Sequence, residues 1–165
     1  MKQGLRFPVL AFCLLVFAPL SRAQEMAAHP MSRNLSDVQL TTIPGLPTCA
    51  TGAVLQGDPT KGPSIILSKV SSDCTFPWHW HTPTETLIII SGTAHVQAKD
   101  GPEMTLSAGA FASMPSKHIH QFHCVTTCTL YVHSDAAFDM HYVNAEGTEI
   151  SPMDALKAVK ETVAK

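Results

Sequence analysis

The chain has 165 residues, 45% of them apolar and 15% charged, with a formal net charge of −2. That length suits one domain with a real core and not two ordinary ones, and the composition excludes a disordered chain. The weak negative charge, with no basic stripe anywhere, excludes a nucleic-acid footprint.

Lys2 and Arg6 precede an uncharged, mostly apolar stretch over residues 7–20, and Ser21-Arg22-Ala23 puts small residues at the −3 and −1 positions. Residues 1–23 therefore read as a cleaved signal peptide. An uncleaved anchor is the competing reading, but about fourteen apolar residues is short for a span that needs roughly twenty. Cys13 lies inside the apolar region behind Phe12, which makes a poor lipoprotein site. Cleavage after Ala23 removes three of the eleven basic residues and no acidic one, leaving a net charge of −5. The expected location is secreted or periplasmic, with no membrane contact once the signal is gone.

Cys49, Cys74, Cys124 and Cys128 remain after cleavage. An even count in an oxidising compartment points to disulfides. Cys124 and Cys128 could close a hairpin over Val125-Thr126-Thr127, which leaves Cys49 with Cys74. A zinc site fits less well, because the spacing matches no common cysteine pattern and thiolates oxidise outside the cell.

Residues 24–37 are polar and without a period, and read as a flexible arm. The domain proper is expected over residues 38–145. Strands are predicted over 38–42, 50–55, 64–70, 76–81, 85–90, 94–98, 104–106, 109–114, 118–124 and 129–133. Turn clusters such as Gly57-Asp58-Pro59-Thr60-Lys61-Gly62-Pro63 separate them. Short strands at nearly even spacing, with no long helix between them, predict an all-β closed barrel or two-sheet jelly roll. At residues 151–165 the pattern changes. Ser151 can cap, Pro152 suits the first helical position, and Asp154 sits in the first turn. Met153, Leu156, Val159 and Val163 fall on one stripe, so a short C-terminal helix should cover one end of the barrel.

The chemistry concentrates in Trp78-His79-Trp80-His81-Thr82-Pro83-Thr84-Glu85. Two histidines one residue apart on a strand face the same way, about 7 Å apart along the backbone. The two tryptophans point the other way, to fill the sheet's other face or a dimer contact, so a homodimer is among the expected assemblies. Pro83 makes a corner, and Glu85 opens the next strand, where it can fold back beside the imidazoles. Two ring nitrogens and a carboxylate oxygen converging in this way suit a divalent transition metal.

Here the residues resemble the cupin family, small β-barrels that often hold one metal ion. The family's first motif, Gly-x5-His-x-His-x3–4-Glu-x6-Gly, is met by His79, His81, Glu85 and Gly92, with Asp73 where the leading glycine would stand. The second, Gly-x5-Pro-x-Gly-x2-His-x3-Asn, is met by Gly109, Pro115 and His120, with Lys117 for the inner glycine and Cys124 for the asparagine. The departures remove no ligand position. The resemblance covers residues 50–144 and implies a cupin-type jelly-roll barrel with His79, His81, Glu85 and His120 as metal ligands. Manganese, iron, zinc, nickel and copper all accept such a set, and the spacing does not choose among them. A barrel whose inward histidines only hydrogen-bond around a small-molecule pocket is the competing view.

His118 shares the face of His120 by alternation and is the candidate catalytic group for moving a proton, with a place on the rim as the plainer reading. His133 depends on the hairpin. A three-residue loop pairs Cys124 with Cys128 and sets Val132 opposite His120, whereas a two-residue loop sets His133 there. His29 sits in the arm, and His95, His123 and His141 read as surface residues. Leu87 and Ile89 follow Glu85 on its face, so the interior behind the metal should be apolar. The pattern supports two function classes. One is a metal-dependent enzyme, of oxygenase, isomerase or decarboxylase type, on a small chelating substrate. The other is a non-catalytic module that binds a small molecule or a metal, and the fold alone does not decide between them.

Overall fold

Short runs rich in Val, Ile and Thr, cut by Pro and Gly turns, give eleven strands, one helix and one 3-10 turn over residues 31–163, the part that a computed structural model describes. The 1–23 leader and the first part of the arm lie outside the described residues. All of these elements belong to the unit that begins at Arg33. The 3-10 turn is Leu35–Asp37. The strands are β1 (Thr41–Thr42), β2 (Ala50–Gly57), β3 (Ser64–Val70), β4 (Cys74–Trp80), β5 (Glu85–Ser91), β6 (Thr93–Ala98), β7 (Glu103–Ser107), β8 (Phe111–Met114), β9 (His120–Cys124), β10 (Cys128–Ser134) and β11 (His141–Tyr142), and helix α1 is Pro152–Val163.

They form two antiparallel sheets, ordered β1-β2-β3-β10-β5-β8 and β11-β4-β9-β6-β7. This is the all-β jelly roll the strand spacing predicts. Alternation sends Leu87 and Ile89 of β5 inward to meet Val96 of β6 and Phe122 of β9, and these side chains share one buried core. No helix among the described residues is long and apolar enough to cross a membrane.

The expected β9–β10 hairpin does not form. β9 pairs with β4 and β6, whereas β10 pairs with β3 and β5, so the chain crosses from one sheet to the other between them. Neither expected register survives: Val132 lies opposite Ile66 and Leu87, and His133 opposite Ile65 and Thr86. The proposed Cys124–Cys128 bridge falls with the hairpin. Both thiols are free and buried, and Cys128 Sγ donates to the carbonyls of Thr93 and Thr126. Burial, with the Cys128 thiol beside it, pushes the Cys124 thiol well above its usual range, which keeps it unreactive. The other pairing is present: Cys49 and Cys74 form a disulfide across 25 residues. The helix begins at Pro152 as expected, with the Ser151 hydroxyl accepting the Asp154 backbone N–H. Its buried face is offset from the predicted stripe. Ala155 is buried and Met153 is 78% exposed, because the helix packs on β4 and β11 through the neighbouring edge.

The turns around the strands keep the shape that motif glycines would give. Asp73 and Lys117 both adopt φ of 60°, the left-handed region. That conformation costs a residue with a Cβ about 1–2 kcal/mol. Hydrogen bonds offset it, from the Asp73 N–H to the Cys124 carbonyl at 2.7 Å and from the Lys117 N–H to the His81 carbonyl at 2.8 Å. Gly92 has no such latitude. Its φ is +87°, and a Cβ there would lie 2.3 Å from the Thr127 carbonyl oxygen. Gly92→Ala should therefore lower stability by about 2–3 kcal/mol in urea denaturation. Gly109→Ala, with φ of +85° but open space around it, should lose only about 1 kcal/mol. Equal losses would show that the close contact at Gly92 does not matter.

Candidate metal centre

One irregularity in β4 aims the first histidine. Phe76 faces Phe122 and His79 faces His120, so three steps on β4 match two on β9. The extra residue makes a bulge at Pro77-Trp78, where proline leaves no N–H unpaired. Strict alternation from Phe76 would turn His79 outward. With the bulge, both side chains line the barrel interior. His81 follows on the same face at the strand's end. The Thr82–Thr84 corner then returns the chain to the other sheet, where Glu85 opens β5.

His79, His81, Glu85 and His120 are all buried, and each offers one ligand atom within 4.8 Å of the other three. Three of these residues stand on one sheet or its end, and Glu85 stands on the other. Each imidazole is oriented by a backbone carbonyl that accepts its Nδ1–H: Pro77 for His79 at 2.7 Å, Asp139 for His81, and His118 for His120 at 2.9 Å. These bonds turn all three Nε2 atoms inward as lone-pair donors.

Two features make the cluster fit a cation. His81 Nε2 is buried without a hydrogen-bond partner. His120 Nε2 lies 3.2 Å from Glu85 Oε2, yet with the Nδ1 proton committed both atoms are acceptors, so something positive belongs between them. Bonds of about 2.1 Å span donors up to about 4.2 Å apart, so small inward shifts would close a shell around one ion.

Charge states agree. Burial, reinforced by the charges His120 and His81 can carry, holds His79 well below the ordinary imidazole range. Burial also lowers His81, against the opposing pull of Glu85. Burial alone would raise the Glu85 carboxyl, but the neighbouring His81, His120 and His79 outweigh it and bring it down to about 2. At neutral pH the site thus offers an ionised carboxylate beside unprotonated His79 and His81.

Stability should respond to pH in one direction. Below about pH 6.5 the unfolded chain takes protons on His79 and His81 that the folded chain resists, so stability falls as pH falls. Glu85 acts the same way, contributing above about 4.5 and losing that contribution as pH falls towards about 2. The thermal midpoint of chelator-treated protein should therefore drop steadily from pH 7 to pH 5, more shallowly in His79→Gln. A flat profile would place these rings in water.

The segment between β10 and β11 completes the site, and sequence reading passed over it. Asp139 accepts the Thr82 N–H at 2.7 Å and Asp135 the Thr84 N–H at 3.0 Å, clasping the corner before Glu85. Phe138 stacks on His81 with ring centroids 4.4 Å apart. In the sequence only the aromatic character of Phe138 hints at this; no spacing rule marks it. A cavity of about 440 Å³ opens from His79, Glu85 and His120 between apolar walls that include Ile66, Leu87, Phe122 and Val132.

Other candidates lie elsewhere. The His118 side chain is exposed and does not line the cavity, so its contact with the centre is its carbonyl. His95 pairs with Glu103 at 3.2 Å, His123 bonds Thr75 at 2.9 Å, and His141 stacks on Trp80 at 3.9 Å. His29 lies outside the described residues.

Residues 68–134 match a family model described as the cupin domain. No curated protein sequence matches the chain. Among solved structures, the polyketide cyclase RemF from Streptomyces resistomycificus is 20% identical at a TM-score of 0.58, covering 70% of this chain and 87% of that one. KdgF from Halomonas sp. is 12% identical at 0.53, covering 63% and 92%. A chain from the structures of the DMSP lyases RdDddP and RnDddQII is 19% identical at 0.51, and this chain spans about half of it, 53%. At such identities the likeness is one of fold.

Proposed function

We propose that this chain, a member of the cupin superfamily, is a metal-dependent enzyme acting on a small chelating substrate. The observation that carries the reading is the convergence of three carbonyl-oriented imidazoles and one ionised carboxylate, with the buried His81 Nε2 lacking a hydrogen-bond partner. His79, His81, Glu85 and His120 would hold one divalent ion. Bound there, it supplies Lewis-acid or redox chemistry to a substrate that chelates through oxygen.

The chain's own contribution is orientation and exclusion. The Pro77, Asp139 and His118 carbonyls fix the ring tautomers. Leu87, Phe122 and Val132 give the space beside the site apolar walls, which strengthens electrostatics there. Glu85 is ionised at neutral pH and so accepts rather than donates protons. His118 has no step in this reading, because its side chain lies outside the cavity. A location outside the cytoplasm is part of the proposal, supported by the Cys49–Cys74 disulfide.

One observation favours a non-catalytic binding module instead. The cavity's one other carboxylate, Asp139, is engaged with Thr82 and His141, which leaves no spare acid or base among the described lining residues. The experiment is metal analysis of untagged protein, followed by turnover and oxygen consumption of the Fe²⁺ and Mn²⁺ forms with chelating acids, diketones and catechols. Turnover that disappears with chelator is the expected result. Metal binding without turnover across the panel would establish the module, and protein that refuses every added metal would end both metal readings.

A further inference from the structure

The cavity's walls say more about its occupant than its metal-competent end does. Among the described residues that line it there is no Lys and no Arg. Its carboxylates are Glu85, which belongs to the metal cluster, and Asp139, which accepts the Thr82 N–H and lies 3.2 Å from His141 Nε2. The remaining lining is aliphatic or aromatic, with a few hydroxyls. Those of Thr51 and Thr60 are bonded to the Lys69 carbonyl and to Asp58.

The space is also long. Glu85 lies opposite Ser134 on β10, and Ser68 lies opposite Leu130, four residues further along the same strand. That separation is about 13 Å along the strand. One side is closed by the segment before β2, where Ile43, Pro44 and Leu46 line the cavity and Tyr142 Oη donates to the Gly45 carbonyl.

We infer that the cavity takes an elongated ligand with one oxygen-chelating head at the four-residue cluster and an uncharged, largely apolar body along the walls. An aromatic or aliphatic ketone, enol, phenol or monocarboxylate fits, whereas a dicarboxylate, phosphate ester or zwitterion does not. A second anionic group would be buried beside apolar side chains with no counter-charge. The head assignment rests on the metal-dependent reading above, and the body assignment rests on the walls alone.

The test uses N-phenylnaphthylamine, an uncharged fluorophore that brightens in apolar surroundings, with full-length protein in the Mn²⁺-loaded and chelator-treated states. The probe should bind in both states with affinities within about threefold, since the walls hold it. Octanoate should displace it from Mn²⁺-loaded protein at concentrations at least about 30-fold below those needed for octanedioate, which differs by the distal carboxylate. Val132→Phe narrows the cavity, and so does Val54→Trp at a position already 42% exposed. Each should weaken the probe about tenfold with little change in melting temperature. No probe binding, equal competition by the two acids, or unchanged affinity in a folded Val54→Trp would each overturn the inference. Probe binding by a protein that takes up no metal would sink the enzyme reading and leave the body assignment standing.

Discussion

Glu85→Gln should weaken Mn²⁺ binding by about 100-fold or more while leaving the melting temperature of metal-free protein within a few degrees of the parent. Glutamine keeps the shape of the side chain but removes the one anionic ligand, so a divalent ion would face imidazoles alone. Loss of an outer hydrogen-bond partner typically costs about 10–100-fold, and loss of a direct ligand should exceed that. Folding should scarcely notice. Glu85 is only 6% exposed, so the desolvation penalty relieved by removing its charge offsets much of the lost attraction to His81, and the new amide N–H can donate to His120 Nε2. Titration calorimetry and thermal denaturation in chelator separate the two effects. His120→Ala should match the affinity loss. Parental affinity in either variant would remove that residue from the ligand set.

Breaking the Cys49–Cys74 disulfide should cost about 3 kcal/mol, as expected for a closed loop of this size. The bridge ties the entry of β2 to the entry of β4 across 25 residues. Cutting it frees the unfolded chain and unties the segment that closes one side of the cavity. Cys49→Ser/Cys74→Ser, or reduction of the parent, should lower the melting temperature by roughly 10 °C. Cys128→Ala serves as the contrast: it removes a buried thiol and no cross-link, and should lose about 1 kcal/mol. A midpoint indifferent to reductant would leave the bridge without a stabilising role.

Much of the fold and the centre is legible in the residues because the relevant signals are local. His79, His81 and Glu85 sit within seven positions, and their spacing and Pro83 bring them together. Ser64–Val70 and Glu85–Ser91 announce themselves by composition. His120 is reachable through the resemblance, whereas the missing glycines leave the turns at Asp73 and Lys117 open, and only the structure shows φ of 60° at both. What escapes depends on partners far away in the chain. Cys124 and Cys128 look like the two sides of a hairpin, but β9 and β10 each find better partners in separate sheets. The Pro77-Trp78 bulge shows only when β4 is set against β9. Phe138 and Asp139 carry no motif, and they matter because their loop folds back over the corner at Thr82.

The four candidate ligands are divided between the two sheets, with imidazoles on one and the carboxylate on the other. A cation held there is therefore a rivet as well as a reagent. Amide hydrogens of β5 and β10, whose strands supply no imidazole to the centre, should exchange with deuterium more slowly once the protein is loaded, because opening the sandwich would first require the rivet to let go.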